Sequence, residues 1–196
     1  MALLKALAHA PAIRSSRRQL ERWLLVVSSF LLWSGLNLSA QTTPSPEYQV
    51  KAVFLFNFAQ FVDWPSKAFP EPQTPLVIGV LGEDPFGPYL DETVRGEKVN
   101  NRPLVVQRFR RGAEIRTCHV LFISRSESDR LEQILTSLRG RSILTVGDFE
   151  DFALRGGMIQ LVTEKNKIRM RINLQAVKAA NLTISSKLLR VAETKL

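Results

Sequence analysis

Apolar residues occupy positions 50–64 almost without a break. The stretch FLFNFAQFVDWP (54–65) holds four of the chain's 11 phenylalanines. Phe54, Phe56 and Phe58 alternate as in a strand. Val50, Phe54, Phe58 and Phe61, however, recur at helical spacing, as do Val53 and Trp64. The run is longer than most strands, and Pro65 suits a helix that ends just before it. The pattern predicts a helix over about 47–63. Its stripe is Val50, Val53, Phe54, Phe58, Phe61 and Trp64, with Asn57 inside it. Ala52, Leu55, Phe56, Ala59 and Val62 coat much of the remainder, and only Lys51, Gln60 and Asp63 favour water. A helix apolar nearly all round must be covered on two sides. A sheet is expected on one side and a second subunit or a partner on the other, with Leu55, Phe56, Val62 and Trp64 as the docking residues. An unpaired amide in an apolar stripe costs about 1–3 kcal/mol. Asn57 is therefore expected to bond to the backbone of a neighbouring loop.

Apolar runs of strand length follow: LVIGVL (76–81), RPLVVQRF (102–109), CHVLFIS (118–124) and SILTVGD (142–148). A proline-rich loop (67–75) precedes the first, and GEDPFGPYLDETV after it reads as a turn and a short helix. SESDRLEQILTSLRG (126–140) has helical start and stop signals: Ser126 as cap, a stripe of Leu131, Ile134, Leu135 and Leu138, and Gly140 as terminator. FEDFALRGG (149–157) reads as a turn of helix. MIQLVTEKNKIRMRINL (158–174) is two runs split by EKNK, a hairpin signal. In its second run Ile168, Met170 and Ile172 share one face, and Arg169 and Arg171 the other. QAVKAANLTISSKLLRVAE (175–193) reads as one bent helix or two, with Ser185 or Ser186 capping the last piece. Strands alternating with helices imply an α/β fold: a mainly parallel sheet flanked by helices, with the C-terminal β-hairpin adding antiparallel edge strands.

The N-terminus differs in kind. Arg17 to Arg22 is basic, WLLVVSSFLLWSGLNL (23–38) is apolar, and SAQ follows. This order is that of a secretory signal peptide over residues 1–40, cleaved after Ala40. The apolar run is short of the roughly 20 residues that a membrane span needs, and an uncleaved anchor is the alternative. SRRQL (16–20) carries a twin-arginine hint. Residues 41–47 then form a flexible tail with two prolines, and 48–196 a single α/β domain. After cleavage nothing remains that inserts directly into a membrane.

The net charge of +9 does not point to nucleic acid. Lys5, Arg14, Arg17, Arg18 and Arg22 stand against Glu21 alone in the first 40 residues, so about half of the excess leaves with the signal peptide. The other charges are interspersed, apart from short clusters such as RFRR (108–111), and read as a solvated basic surface.

Candidate chemistry is sparse. In open sheets ligands gather beyond the carboxyl ends of the strands, and two acidic turns follow strands here. Glu83, Asp84 and Asp148 can therefore meet, but Asp-Pro and Gly-Asp are also ordinary turn chemistry, which is the favoured reading. Pro85 removes an amide that a phosphate would need, and GVLGEDPFG lacks dinucleotide spacing. The sequence holds no nucleophile elbow and no metal-spaced Cys/His cluster. No catalytic, cofactor-binding or metal residue is assigned, and no cofactor is expected. Cys118, the single cysteine, cannot form an internal disulfide and reads as a small buried hydrophobe. His9 lies in the signal peptide and His119 in a buried strand. Arg169 and Arg171 are the candidate contacts for an anionic ligand.

Five phrases in order, FLFNFAQFVDWP, IGVLGEDPFG, CHVLFIS, ILTVGDFEDFALRGGMIQLV and KIRMRINLQAVKAANLTISSKLLRVA, resemble the YfiR-like family of exported bacterial proteins, from about Tyr48 to Ala192. The resemblance implies a periplasmic, non-enzymatic α/β domain. It also implies a partner: the periplasmic part of a membrane signalling protein, a diguanylate cyclase or a sensor kinase, held inactive by contact. Redox-responsive members use several cysteines, and with Cys118 alone that control cannot operate here. A homodimer is a second expected use of the opening helix. The alternative function is a small-ligand-binding domain serving a transporter or a sensor kinase.

Overall fold

Pro46, whose missing amide proton costs nothing in a first helical turn, opens α1 (Pro46–Phe61) within the segment expected to be a tail. The computed structural model describes residues 44–165, 167–192 and 194–195; the expected signal peptide lies outside them. At Val62 the backbone turns extended, and Val62–Asp63 form β1. The strand-length apolar runs appear where the pattern puts them: β2 (Leu76–Leu81), β4 (Arg102–Phe109), β5 (Val120–Ile123) and β6 (Leu144–Gly147). Between β2 and β4 lie α2 (Pro88–Val94) and the two-residue β3 (Lys98–Val99). The expected hairpin forms from β7 (Ile159–Glu164) and β8 (Lys167–Ile172), paired antiparallel from Ile159 opposite Ile172 to Glu164 opposite Lys167.

Two helical expectations are corrected. Residues 126–140 are not one helix. A 3-10 turn (Arg125–Arg130) passes into α3 (Leu131–Ser137), because Arg130 leaves helical geometry at φ −107°, ψ 10°. Ser126 caps neither piece; its hydroxyl accepts the Glu83 N–H across the sheet end at 3.0 Å. Residues 149–157 form turns without a helix, with Asp151 and Gly156 at positive φ. The C-terminal segment is two helices, α4 (Leu174–Ala179) and α5 (Ser186–Val191), with Ser185 capping the second as expected. Between them β9 (Thr183–Ile184) pairs antiparallel with β1, Val62 opposite Ile184. β10 (Thr194–Lys195) runs parallel to β8.

The large sheet has the order β10-β8-β7-β6-β5-β2-β4-β3. β4, β2, β5, β6 and β7 run parallel to one another, and β3 and β8 flank them antiparallel. Both faces are covered, which is why its strands read as continuous apolar runs. Ile78, Val80, Val120, Phe122, Leu144 and Val146 pack on α1, α2, α4 and α5. Leu81, Leu121 and Ile123 pack on Leu131, Ile134 and Leu138 at the other face. There Phe152, fully buried, lies against Gly147 and Gly157, and a Cβ at either glycine would overlap its ring. Gly157→Ala is expected to destabilise the protein by about 1–3 kcal/mol through this overpacking, read as a lower denaturant midpoint with an unchanged m-value.

His119, just before β5, is 1% exposed and stacks on Phe69 with ring centres 4.5 Å apart. The Val77 N–H donates to its Nδ1 at 3.0 Å. The proton therefore sits on Nε2, which donates to the Ala68 carbonyl at 3.2 Å. Burial, the largest cause, lowers its pKa from the usual histidine value. Unfolding restores a pKa of about 6.5. The folded state thus refuses a proton that the unfolded chain accepts. Stability is full above about pH 6.5 and declines as pH falls below it, by at most about 1.4 kcal/mol per pH unit, until the lower folded value is passed. Urea midpoints of the wild type should fall between pH 7 and pH 5, and those of His119→Gln should fall less over the same interval.

Candidate functional site

The strand order reverses between β2 and β5, because β2 leads to β4 on one side and β5 to β6 and β7 on the other. The carboxyl ends of these two strands are where an open sheet of this type holds a ligand. Here the two loops fill that place themselves. Gly82 (φ +91°) lets the chain pass so close to Ser126 that a Cβ would strike its hydroxyl. Asp84 is spent on the turn, accepting the Phe86 N–H at 2.8 Å and the Arg108 Nε at 2.6 Å. Arg108 also donates to Asp91 and to the Gly87 carbonyl, and Asp91 foremost raises its pKa further. Glu83, Asp84 and Asp148 are therefore not brought into one cluster. Among the described residues no group of three or more His, Cys, Asp or Glu is placed to hold a metal ion. Cys118 is buried, and burial pushes its thiol up to about 12, which leaves it protonated and unreactive.

Asp148 instead meets α1. Lys51 Nζ lies 2.6 Å from its carboxylate, with the two side chains only 3% and 2% exposed. Glu47, one turn earlier, closes on the same ammonium at 2.5 Å and accepts a hydrogen bond from Thr163 Oγ1. The Lys51 bond, first among its causes, holds the Glu47 carboxyl below the usual range. The Tyr48 ring lies 4.5 Å beneath Lys51 Nζ. Burial first, then the Asp148 charge, raises the tyrosine pKa well above normal. Lys51, which the pattern assigned to water, is thus a buried anchor.

That anchor sets which face of α1 looks outward. Lys51, Ala52, Leu55, Phe58 and Ala59 point into the protein. Val50 and Val53 are 48% and 41% exposed. Phe54, Phe56, Asn57 and Phe61 are half-buried and Gln60 is exposed. Two of the expected docking residues are corrected: Leu55 (0% exposed) and Val62 (3%) are core, because the lysine anchor turns their side of the helix to the sheet. Phe56 and Trp64 are half-buried against the same core, and Trp64 meets His119 edge to face. Asn57 lies half-exposed on the outward stripe and makes no side-chain hydrogen bond among the described residues, so its expected loop contact is also corrected. Arg169 and Arg171 lie half-buried on the face of β8 away from Met170, and Arg171 pairs with Glu164 at 3.1 Å.

Removing one member of a buried ion pair leaves the other uncompensated, at a cost of about 3–5 kcal/mol. Asp148→Ala and Lys51→Ala should each lose about that much in equilibrium unfolding. The double variant Lys51→Met/Asp148→Leu should recover most of the loss.

No helix among the described residues is long and apolar enough to cross a membrane. Two solved structures are similar to this chain at a low level. One is an ABC domain from Streptococcus pneumonia in complex with L-Trp, 11% identical with a TM-score of 0.43, matched over 62% of this chain and 55% of that one. The other is a conserved domain protein from Vibrio cholerae, 13% identical with a TM-score of 0.46, over 78% and 60%. The chain thus spans little more than half the length of either. No curated protein matches it significantly. The family model described as YfiR/HmsC-like matches residues 48–193, beginning at the tyrosine beneath Lys51. The chain belongs to the YfiR/HmsC-like family, whose members are periplasmic regulators of cyclic di-GMP signalling.

Proposed function

We propose that this protein, exported by its N-terminal 40 residues and freed by cleavage after Ala40, restrains a membrane-bound diguanylate cyclase by contacting its periplasmic part through the outward face of α1. One observation carries the reading. Val50, Val53, Phe54, Asn57, Gln60 and Phe61 form an outward stripe over three helical turns that contains no charged residue. A contiguous apolar face that is not covered marks an interaction site more often than chance exposure does. Its helix is rigidly held from behind by Lys51 and Asp148, so binding costs little ordering of the helix. Family membership supports the class of partner, a component of cyclic di-GMP signalling. The protein acts by binding, not catalysis, and needs no cofactor. Restraint requires tighter binding to the inactive arrangement of the cyclase than to the active one. A difference of about 1–3 kcal/mol changes activity by one to two orders of magnitude.

The same stripe can pair with a second copy, and a sensor kinase is a second class of partner. These are outcomes of one experiment. Val53→Asp places a charge on the exposed stripe and is expected to leave the denaturation midpoint nearly unchanged. Cells carrying it should show the raised cyclic di-GMP of a gene deletion, and so should cells carrying a chain without residues 1–40. Periplasmic cross-linking should recover a cyclase with the wild type and not with Val53→Asp. Unchanged cyclic di-GMP after deletion, with only the protein's own dimer or a kinase recovered, overturns the cyclase reading.

A further inference from the structure

We propose that the end of the sheet where β6 and β7 begin, between α3 and α4, carries a binding site for a small amphipathic anion, a carboxylate or sulfonate on an apolar body. Its origin lies in the chain's connections. The link from β6 to β7 contains no helix, and α3 is only seven residues long, so neither covers the start of these strands. A cavity of about 460 Å³ remains there, open on one side. That size falls within the range of small-molecule sites.

The floor is apolar. Leu138, Ile143 and Met158 are all at least nine-tenths buried and line it together with Leu135. One wall comes from α4 and the residue after it, where Ala176, Ala179 and Ala180 leave the space that longer side chains would fill. The Met158 N–H is not free to a ligand, because it donates to the Thr145 hydroxyl at 3.1 Å.

The rim is cationic. Arg139, Arg141 and Arg155 line the cavity against a single acid, Glu132. Glu132 is neutralised by Arg155, which meets both of its oxygens at 2.8 and 3.0 Å. Arg141 is fixed in place by donating to the Ile115 and Arg116 carbonyls at 2.9 and 2.8 Å. Arg139 is exposed and has no side-chain partner among the described residues. A neighbouring hollow of about 310 Å³ shares Gly140, Arg141 and Ile143 and adds Lys67 and Arg116, with no acid in its lining. The mouth of the cavity thus lies in a positive field, which raises the local concentration of an anion. An apolar floor beneath one free guanidinium suits a ligand with one charged end. Neither a sugar, with no apolar body, nor a cation matches this lining. This reading uses no residue of α1 and stands independently of the cyclase proposal.

The test uses the mature protein and 1-anilinonaphthalene-8-sulfonate, a fluorescent anion of this class. Its fluorescence should rise with a saturable one-site isotherm. Dodecanoate and 2-naphthoate distinguish an acyl from an aromatic ligand by which of them displaces the dye. Dodecanol, which lacks the charge, should displace it at least tenfold less well than dodecanoate. Arg139→Gln should weaken dye binding about tenfold, and Ala179→Trp should abolish it. Both positions are exposed, so both variants should keep the wild-type unfolding midpoint. Val53→Asp, which lies outside the cavity's lining, should bind the dye like the wild type. Absence of saturable binding, or equal affinity in wild type, Arg139→Gln and Ala179→Trp, overturns the site. So does loss of binding in Val53→Asp alone, which would place the dye on α1.

Discussion

The rest of the arrangement depends on the pairing of Lys51 with Asp148. α1 is apolar around most of its circumference, so hydrophobic burial alone barely fixes its rotation about its own axis. Turning the helix exchanges one buried phenylalanine for another, and the difference is a fraction of the roughly 1.5–3 kcal/mol that each contributes. A lysine taken out of water without a partner costs several kcal/mol. Only one rotation brings the ammonium, with Glu47 and Tyr48 of the same helix around it, to Asp148. The electrostatic constraint therefore decides a choice that the apolar coat leaves nearly degenerate. It thereby determines that Leu55 is core and that Val53 faces outward.

The strands were legible because both sheet faces are covered, so LVIGVL and the runs after it carry no polar alternation to confuse them. The hairpin was legible from its own alternation, with Met170 and Ile172 inward and Arg169 and Arg171 on the other face. The phase of α1 was not, because a periodicity argument needs a polar face and this helix lacks one. Its one informative residue, Lys51, argued for water when read alone. Its partner stands at the end of a strand far along the chain, a relation no local pattern contains. The pairing of β1 with β9 escaped for a similar reason: two residues are too few to show a period, and the contact is non-local.

The cavity was invisible in the sequence for a different reason. It is made of missing volume: a helix too short to cover its strands, a crossover with no helix and three alanines on α4 and its end. A motif records residues that are present, whereas a hollow is defined by what its neighbours fail to fill. The acidic turns show the converse. Glu83, Asp84 and Asp148 could meet on paper because all follow strands, although turn chemistry was the favoured reading. In the fold, Asp84 is taken up by its own turn and Arg108, and Asp148 by the first helix.

Asp148 also begins the segment that ends at Met158, and this segment joins the two faces of the sheet. At its start the carboxylate holds α1. Near its end Arg155, Gly156 and Met158 border the cavity. Between them Phe152 is fully buried against Gly147 and Gly157, and Gln160 donates to the Phe149 carbonyl at 3.0 Å. The segment has no helix, yet this packing and these bonds hold it in one conformation. A close-packed element of this kind does not deform smoothly, because even a methyl group added at either glycine overlaps the phenylalanine ring. The outward stripe of α1 is therefore backed by a close-packed segment inside the protein, a geometry that suits the contact proposed for it, in which a partner's two states are told apart by shape.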